Sequence, residues 1–393
     1  MSGPRILAVI PVYNHPETLR AMAEGALAVL PDLLVVDDGS AVPVGPSLAD
    51  LPLRLIRHEA NQGKGAAIKT AAAFAAGRGF SHLVTLDADG QHDPADLARF
   101  VEEVADRPRA FIVGARDFAR AENVPFSSRF GRRFSEFWMF IQTGQRVGDM
   151  QSGYRAYPVA ALGGLAVRDD HYSFEIEVLV KAAWSGFEIA EIPVAVRYPA
   201  ARDRVSHFRA FRDNWRITVL NTRLTIRALI PVPFRELAWE AGPGPDRVSV
   251  RRPLKSFLRL MADSATPRLL AASTAIPLWV NCLPLPGFQT FLLLWLIAAL
   301  KLNRPWSLAV SHACLPGLMP ALAIEIGHYF LTGVWLTDIS WRTLGLEAWS
   351  RLGDWLAGAL VGGPPAALAA SLAVYLTAWL IGRGLAREAD HDR

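Results

Sequence analysis

Two long segments near the C-terminal end of the chain contain no Asp, Glu, Lys, Arg or His. They are Leu269 to Leu300 and Trp355 to Gly382. A helix needs about 20 consecutive apolar residues to cross a bilayer, and backbone groups within lipid must satisfy their own hydrogen bonds. We therefore predict an α-helical membrane domain over residues 269–385, with two or three spans.

The first of these segments allows two arrangements. Pro277, Pro284 and Pro286 interrupt it, so it forms either one kinked span or a hairpin that re-enters from the same side. The positive residues favour the hairpin, because Lys301 and Arg304 then lie on the cytoplasmic side with the C-terminal arginines.

Two ionisable residues lie within the apolar region that follows. Glu325 and His328 are three residues apart and are expected on the same side of a span. Ionisable residues inside a membrane are candidates for function. We expect this pair to contact a lipid phosphate or a partner, or to pair with each other.

The first half of the chain has a different pattern, in which short apolar runs alternate with helical patterns. This alternation predicts an α/β domain, a mostly parallel sheet with helices on both faces. No positively charged leader precedes the first run, so we expect this domain to stay on the cytoplasmic side. The predicted strands are Ile6–Val12, Leu33–Val36, Leu53–Ile56, His82–Leu86 and Phe111–Val113, and the helices between them include Pro16–Val29, Lys64–Arg78 and Pro94–Ala105.

The distribution of positive charge indicates the kind of partner that this protein binds. The net charge is +4, and arginines cluster between Arg197 and Arg268. A membrane surface is the expected partner of this cluster, since the sequence has no aromatic-basic module of the kind that binds nucleic acid.

Cys282 and Cys314 lie in apolar segments and are expected to pack there without a disulfide.

Polar clusters follow four successive predicted strands. Ligands of parallel sheets collect at the carboxyl ends of the strands. Each cluster alone is compatible with a turn or a helix cap, but four in succession predict a binding site. The clusters are Pro11-Val12-Tyr13-Asn14, Asp37-Asp38-Gly39-Ser40, Asn61-Gln62-Gly63-Lys64-Gly65 and Asp87-Ala88-Asp89.

The fourth cluster carries the strongest chemical signal. Residues two apart in a strand share a face, so Asp87 and Asp89 can point at one divalent cation. Gln91 offers a further oxygen, and Gly90 allows a tight turn beside them. A simple Asp-rich turn is the alternative for this stretch alone.

In this order and spacing, the four clusters together with Gly90-Gln91-His92 resemble a family 2 glycosyltransferase with the GT-A fold. The most similar group is the polyprenyl-phosphate hexose synthases of the dolichol-phosphate-mannose type. Later segments, Gly114-Ala115-Arg116 and Asp149 to Arg155, are similar to further motifs of that family. The likeness covers about the first half of the chain, while residues 285–305 resemble a small bacterial membrane domain of undefined function.

The sequence departs from the family pattern at two places. His15-Pro16 separate Asn14 from Glu17, which stands in for a glutamate that is usually adjacent, and His207 replaces a usual lysine in the late Arg202 to His207 loop. The Gln-x-x-Arg-Trp motif of processive synthases is missing, which favours transfer of a single sugar.

The resemblance implies a nucleotide-sugar donor and Mg²⁺ or Mn²⁺ that neutralises the leaving diphosphate. Asp87, Asp89 and Gln91 are then the metal ligands. The residues expected to bind the nucleotide are Pro11, Tyr13, Asn14, Glu17, Asp37, Asp38, Lys64 and Asp87.

On the acceptor side, the resemblance implies a polyprenyl phosphate, which is already anionic near neutral pH, so no strong general base is needed. Arginines suit this task because they hold anions through bidentate contacts, and direct in-line displacement inverts the anomeric carbon. A structural ion pair is the alternative for Asp149 and Arg155. The residues assigned to catalysis are Asp89, Arg116, Arg129, Arg133, Ser135, Asp149, Arg155 and Arg202.

Some polar residues are assigned a more ordinary role. His92 and His171 are expected to be polar packing residues. Glu175 is singled out by the resemblance as a pocket residue. We expect solvent or the membrane surface to contact Arg132, Arg204, Arg209 and Arg212.

The predicted organisation has three parts: a GT-A domain over residues 1–205, amphipathic juxtamembrane helices and a linker over 206–268, and the membrane domain over 269–385. Between Phe208 and Pro231, arginines and aromatic residues mix at helical spacing, which is typical of a helix lying in the membrane interface.

The prediction is a multi-pass protein of the cytoplasmic membrane. It transfers one hexose from a donor of the GDP-mannose or UDP-glucose type to a polyprenyl phosphate, with inversion. The alternatives are transfer to a glycerolipid or a lipid-linked glycan, and a non-catalytic protein that senses nucleotide sugars or handles lipids.

Overall fold

The computed structural model describes residues 3–119, 121, 124–197, 210–230, 237, 266–285, 287–314, 318–336 and 350–391. The chain divides into two compact units. The first comprises Met1–Thr225 with Phe234–Gly244, and the second comprises Ile226–Pro233 with Pro245–Arg393. Arg202, His207 and most of the predicted linker lie outside the described residues.

A seven-stranded sheet forms the centre of the first unit, in the order β3-β2-β1-β4-β6-β5-β7. Only β6 is antiparallel to its neighbours, β4 and β5. The mostly parallel sheet predicted from the alternating pattern is confirmed. The strands are β1 (Ile6–Val12), β2 (Leu33–Asp37), β3 (Arg54–Arg57), β4 (His82–Thr85), β5 (Phe111–Arg116), β6 (Arg155–Pro158) and β7 (Ile189–Val194).

Helices cover both faces of this sheet. Alternate residues of a strand point to opposite faces, so Leu7 and Val9 of β1 join one buried core and Ala8 and Ile10 join the other. This is why the strands are near-continuous apolar runs. The helices are α1 (Pro16–Leu27), α2 (Lys64–Ala76), α3 (Leu97–Asp106), α4 (Phe126–Thr143), α5 (Val159–Gly164), α6 (Phe174–Trp184) and α7 (Ala210–Leu229).

The carboxyl ends of β1 and β2 are tied together by Asn14. Its φ of 54° is left-handed, a conformation that asparagine tolerates better than most residues. The Asn14 amide donates to Ser40 Oγ at 3.0 Å, and its side-chain oxygen accepts from the Ala41 amide at 2.8 Å. The first two polar clusters therefore lie side by side.

The second unit is helical. Its helices are α8 (Pro267–Cys282), α9 (Gln289–Ala299), α10 (Arg304–Ala313), α11 (Leu318–Thr332), α12 (Leu352–Val361) and α13 (Gly363–His391). Among the described residues, one stretch, Leu352–Leu380, is long and apolar enough to cross a membrane by length and composition. The larger number of spans expected from the sequence stays a prediction.

Helices α8 and α9 form a hairpin rather than one kinked helix. Thr274 of α8 accepts a hydrogen bond from Trp306 of α10 at 2.8 Å, and Asn281 donates to Ser311 at 3.2 Å. Thr274 and Asn281 follow each other along α8 in the same order as Trp306 and Ser311 along α10, so these two helices run in the same direction. Helix α9 connects them and therefore runs in the opposite direction.

Helices α11 and α12 approach each other closely because both carry glycine at the contact. A Cβ added to Gly358 would lie 1.7 Å from the Ala323 carbonyl oxygen. The structure also corrects the option that Glu325 and His328 pair with each other. His328 Nδ1 lies 3.0 Å from Asp354 Oδ2, and Glu325 accepts from the Leu336 amide at 3.0 Å.

Candidate active site

A cavity of about 590 Å³ opens at the carboxyl ends of β1, β2 and β4. It lies where the doubly covered sheet is expected to bind a ligand. Its wall also includes the start of α2, the loop before α6 and one face of α7. The lining residues are Pro11, Val12, Tyr13, Asn14, His15, Asp38, Asn61, Gly63, Lys64, Ala67, Asp87, Ala88, Asp89, His171, Tyr172, Arg212, Asp213 and Arg216.

Lys64 binds two carboxylates at the base of this cavity. Its Nζ lies 2.5 Å from Asp87 Oδ1 and 2.7 Å from Glu175 Oε1. Burial alone would lower the pKa of Lys64, but the two negative charges outweigh it and raise that pKa. The ammonium group therefore stays charged and offsets part of the negative charge at the end of β4.

Asp87 and Asp89 differ in their electrostatics. Burial raises the pKa of Asp87, but the Lys64 charge prevails and lowers it overall. For Asp89, burial and then the negative charge of Asp87 raise the pKa to about 6. Two neighbouring carboxylates that repel each other fit a divalent cation, which prefers such oxygen ligands.

The third expected metal ligand is not in the cavity wall. Gln91 donates its backbone N–H to Asp89 Oδ1 at 3.0 Å, and its side chain does not line the cavity. Among the described residues, no group of three or more His, Cys, Asp or Glu side chains could hold a metal. Of the three expected ligands, Asp87 and Asp89 are the ones that line the cavity.

The first two polar clusters build one part of the cavity wall. Pro11, Tyr13, Asn14 and Asp38 line it, as expected from the sequence. Asp38 is buried and accepts from the Gln62 and Gly63 amides at 2.9 and 2.8 Å. Asp38 therefore shapes the loop that presents Lys64.

Two expected nucleotide residues lie elsewhere. Asp37 is fully buried, forms an ion pair with Arg57, and accepts from the Ser40 amide at 2.9 Å. Glu17 is exposed in the first turn of α1 and does not line the cavity. Asp37 therefore stabilises the turn after β2, and it does not line the cavity.

Two of the residues assigned to catalysis, Arg116 and Asp149, form a bidentate ion pair, with Nε–Oδ2 and Nη2–Oδ1 distances of 2.7 and 2.8 Å. Burial would raise the pKa of Asp149, but the hydrogen bonds and charge of Arg116 hold it below its usual range. Arg116 also acts electrostatically on Asp87 and Asp89. Arg116 thus places a positive charge near the carboxylates, which Asp149 partly balances, and neither residue of the pair lines the cavity.

The 149–155 segment packs closely against Asp87 and Lys64 at Gly153. A Cβ added to Gly153 would lie 2.2 Å from Asp87 Oδ2 and 2.3 Å from Lys64 Nζ. Thr85 fixes this approach by donating to the Gly153 carbonyl at 2.8 Å. Only glycine fits at this position without moving the ion pair.

Arg155 has a structural position rather than the catalytic one assigned from the sequence. It is fully buried and donates to the carbonyls of Ser152, Glu175 and Met150, each at 2.6 Å. The suggested Asp149–Arg155 ion pair is also replaced, since Asp149 pairs with Arg116. Arg155 thereby joins the 149–155 segment to α6.

The other catalytic candidates on α4 are not in the cavity wall. Arg129 and Arg133 are exposed, while Ser135 is buried and accepts from Gln151 Nε2 at 3.2 Å.

The sequence analysis missed two arginines in the cavity. Arg212, expected at the membrane surface, lines the cavity together with Arg216, one helical turn farther along α7. The buried Asp213 lies 3.6 Å from the Arg216 guanidinium. The spacing of four residues placed both arginines on one face, but the sequence did not reveal that this face closes the cavity. His171, expected to be a packing residue, also lines it.

Comparison with known proteins identifies the family. A profile described as "Glycosyl transferase family 2" matches residues 7–163, and one described as "Uncharacterized protein conserved in bacteria (DUF2062)" matches residues 251–389. The polyprenol monophosphomannose synthase of Mycolicibacterium smegmatis is 30% identical over 207 residues, which cover 48% of this chain and 76% of that protein. The chain belongs to glycosyl transferase family 2.

The resemblance inferred from the motifs is thereby confirmed, and this family 2 protein is a glycosyltransferase. A further relative is the UDP-N-acetylglucosamine–dolichyl-phosphate N-acetylglucosaminyltransferase of Methanococcus voltae, 28% identical over 50% of this chain and 88% of that protein. Among solved structures, glucosyl-3-phosphoglycerate synthase from Mycobacterium tuberculosis in complex with UDP has a TM-score of 0.43 and 16% identity, covering 57% of this chain and 80% of that one.

Proposed function

We propose that this glycosyltransferase transfers a single hexose from a nucleotide sugar to a polyprenyl phosphate, with inversion of the anomeric carbon. The observation that carries the proposal is that Asp87, Asp89 and the α7 arginines Arg212 and Arg216 line one cavity. Such a cavity offers a cation site and an anion site together. Both relatives described above are named for polyprenyl-type phosphate acceptors, and their names give different sugars.

The proposed chemistry is an in-line displacement. A phosphate oxygen of the acceptor attacks the anomeric carbon, and the bond from that carbon to the donor's diphosphate breaks. Mg²⁺ or Mn²⁺ bound at Asp87 and Asp89 would supply Lewis-acid neutralisation of the leaving diphosphate. The acceptor oxygen is already ionised near neutral pH, so no general base is required.

The acceptor's phosphate is proposed to bind Arg212 and Arg216. Arginine holds phosphate through paired, charge-assisted hydrogen bonds. Of the arginines assigned to this role from the sequence, Arg116 is committed to Asp149, and Arg129 and Arg133 do not line the cavity. Lys64, near the diphosphate in this proposal, keeps its charge through Asp87 and Glu175.

The proposed location is the cytoplasmic membrane, with the catalytic unit in the cytoplasm. The helical second unit contains the candidate span Leu352–Leu380. Residues 1–205, 206–268 and 269–385 are proposed as the catalytic domain, the juxtamembrane region and a membrane domain with two or three spans. Transfer to a glycerolipid or a lipid-linked glycan is the competing reaction; it uses a hydroxyl acceptor, which needs a base.

The test is incubation of the purified full chain in detergent with undecaprenyl phosphate, Mg²⁺ or Mn²⁺, and a panel of UDP- and GDP-sugars. The expected product, read by mass spectrometry, is the lipid phosphate with one added hexose, formed only when the divalent cation is present. Products on a diacylglycerol supplied in parallel, with none on the lipid phosphate, would support the competing reaction.

A further inference from the structure

Glu177 of α6 is a buried carboxylate that the proposed chemistry does not use. Its side chain is 1% exposed, and burying a carboxylate is costly unless cations and hydrogen-bond donors surround it. Oε2 accepts from the backbone amides of Arg168 and Asp169 at 3.0 and 2.8 Å. Oε1 lies 2.9 Å from Lys181 Nζ and 3.0 Å from Arg223 Nη2. Glu177 therefore joins the loop before α6 to α7.

The loop before α6, residues 166–172, forms part of the cavity wall. His171 and Tyr172 of this loop line the cavity. Ala166 has a left-handed φ of 49°, which is unfavourable for alanine and persists only where the surroundings hold it. Lys181 Nζ donates to the Ala166 carbonyl at 2.7 Å. The contacts from α6 therefore hold the 166–172 loop in a conformation that it would not keep by itself.

The 166–172 loop also packs against the segment that presents Lys64. The Ala66 amide donates to the Asp170 carbonyl at 3.1 Å. A Cβ added to Gly63 would lie 2.3 Å from the same carbonyl oxygen, so the two segments are in close contact. A displacement of the 166–172 loop would therefore also disturb the position of Lys64.

Arg223 connects the other oxygen of Glu177 to α7, the helix that carries the two arginines of the cavity wall. Arg212 and Arg216 line the cavity. Spacings of four and then seven residues correspond to about one and two helical turns, so these three arginines lie on one side of α7. The ion pair between Arg223 and Glu177 therefore resists rotation of α7 about its axis, which would move both cavity arginines.

We propose that Glu177 is a positioning residue that holds the 166–172 loop and α7 together, so that Arg212 and Arg216 meet the acceptor's phosphate. The identity of that ligand rests on the proposed function, whereas the contacts of Glu177 do not. Glu177 does not line the cavity. Its loss is therefore expected to weaken binding of the lipid phosphate without removing a reacting group.

The first test measures hydrogen–deuterium exchange by mass spectrometry on the full chain in detergent, without substrate. Arg223→Gln removes the charge that ties α7 to Glu177, and Arg223 is 45% exposed, so this variant is expected to fold. Exchange in residues 210–219 should rise about tenfold, the effect of losing one charge-assisted hydrogen bond. Exchange in β1 should stay slow, and Arg223→Lys, which keeps the charge, should restore most of the protection.

Glu177→Gln is the second variant, and it affects both parts of the wall. Exchange should rise in α7 and also in the 166–172 loop, whose amides lose a charged acceptor, whereas Arg223→Gln should affect α7 alone. Glu188→Gln is the matched control, because it removes an ion pair with Arg107 between side chains that are 58% and 50% exposed. It should change neither segment. Unchanged exchange of α7 in both variants, or an equal rise in β1, would overturn the proposal.

Initial rates with undecaprenyl phosphate provide the second test. Arg223→Gln should raise the KM for the lipid phosphate about tenfold, while kcat and the KM for the nucleotide sugar change little. An unchanged KM for the lipid phosphate would overturn the role in acceptor binding. The exchange differences appearing in a chain that forms no lipid product would leave Glu177 as the link between the two walls and overturn the proposed function. Product formation without the exchange differences would do the reverse.

Discussion

Lys64 Nζ lies 2.7 Å from Oε1 of Glu175, a carboxylate in the first turn of α6. The same ammonium group lies 2.5 Å from Asp87 Oδ1. One lysine thus provides positive charge for the buried Glu175 and the partly buried Asp87 before any substrate arrives.

This relationship predicts that Lys64→Gln destabilises the fold. The change leaves Asp87 and Glu175 without their shared cation, and removing one partner of a buried ion pair costs about 3–5 kcal/mol. A divalent cation that binds Asp87 and Asp89 should restore part of the loss, because a ligand that binds only the folded state stabilises it. Urea unfolding in detergent, with and without Mn²⁺, measures both effects.

Lys69→Gln is the matched control. Lys69 also forms an ion pair, with Asp170 at 2.7 Å, but these side chains are 34% and 52% exposed, more than those of Lys64 and its partners. We expect its free energy of unfolding to change by no more than about 0.5 kcal/mol. Equal losses for the two variants would contradict the role given to Lys64.

The raised pKa of Asp89 predicts that cation binding weakens in mild acid. Burial and the charge of Asp87 set that pKa to about 6, above the value in an unfolded chain. Because this pKa is higher in the folded protein than in the unfolded chain, protonation of Asp89 as the pH falls through 6 stabilises the folded protein without its metal. The same proton competes with the cation for the Asp89 carboxylate. Below pH 6 the apparent affinity for Mn²⁺ should fall by up to about tenfold per pH unit.

Mn²⁺ titrations followed by electron paramagnetic resonance between pH 7.5 and 5 would measure this fall. Binding of the nucleotide alone, without the cation, serves as the comparison, and we expect it to change much less. A Mn²⁺ affinity that stays constant down to pH 5 would show that Asp89 does not hold the cation.

Gly153→Ala should impair catalysis far more than its size suggests. The added Cβ would lie 2.2 Å from Asp87 Oδ2, so either the carboxylate or the 149–155 segment must move. Displacements of about 1 Å in a catalytic site can cost about 10²-fold in rate. Gly163→Ala is the control, because nothing lies within 4 Å of its added Cβ. The measurement is the initial rate of lipid-linked sugar formation.

Much of the fold could be predicted because its signals are local. β1 has the predicted bounds, Ile6–Val12, and β2, β3 and β4 agree to within one residue at each end. The apolar runs and the polar clusters that follow them are each contained within a few residues. The place of β6 between β4 and β5 was not predicted, because antiparallel pairing over some 70 residues leaves no local pattern.

The site was harder to predict than the fold. Asp87, Asp89 and Lys64 line the cavity as the motifs indicated. Arg155 does not line the cavity, because its guanidinium donates to three backbone carbonyls instead. No local pattern in the sequence indicates these three contacts. Arg212 has the spacing of a surface arginine, and only the packing of α7 against the catalytic unit turns it toward the cavity.

The cavity position of Arg216 predicts a selective loss of acceptor binding in Arg216→Gln. If this guanidinium binds the acceptor's phosphate, its loss removes charge-assisted hydrogen bonds worth about 1.5–3 kcal/mol, which corresponds to roughly 10- to 150-fold in affinity. The KM for undecaprenyl phosphate should rise by that factor while the KM for the nucleotide sugar changes little. Arg54→Gln, which loses only an exposed ion pair with Asp32, should leave both constants unchanged. A rise confined to the donor's KM would instead assign Arg216 to the diphosphate, and the acceptor's phosphate would then need another arginine.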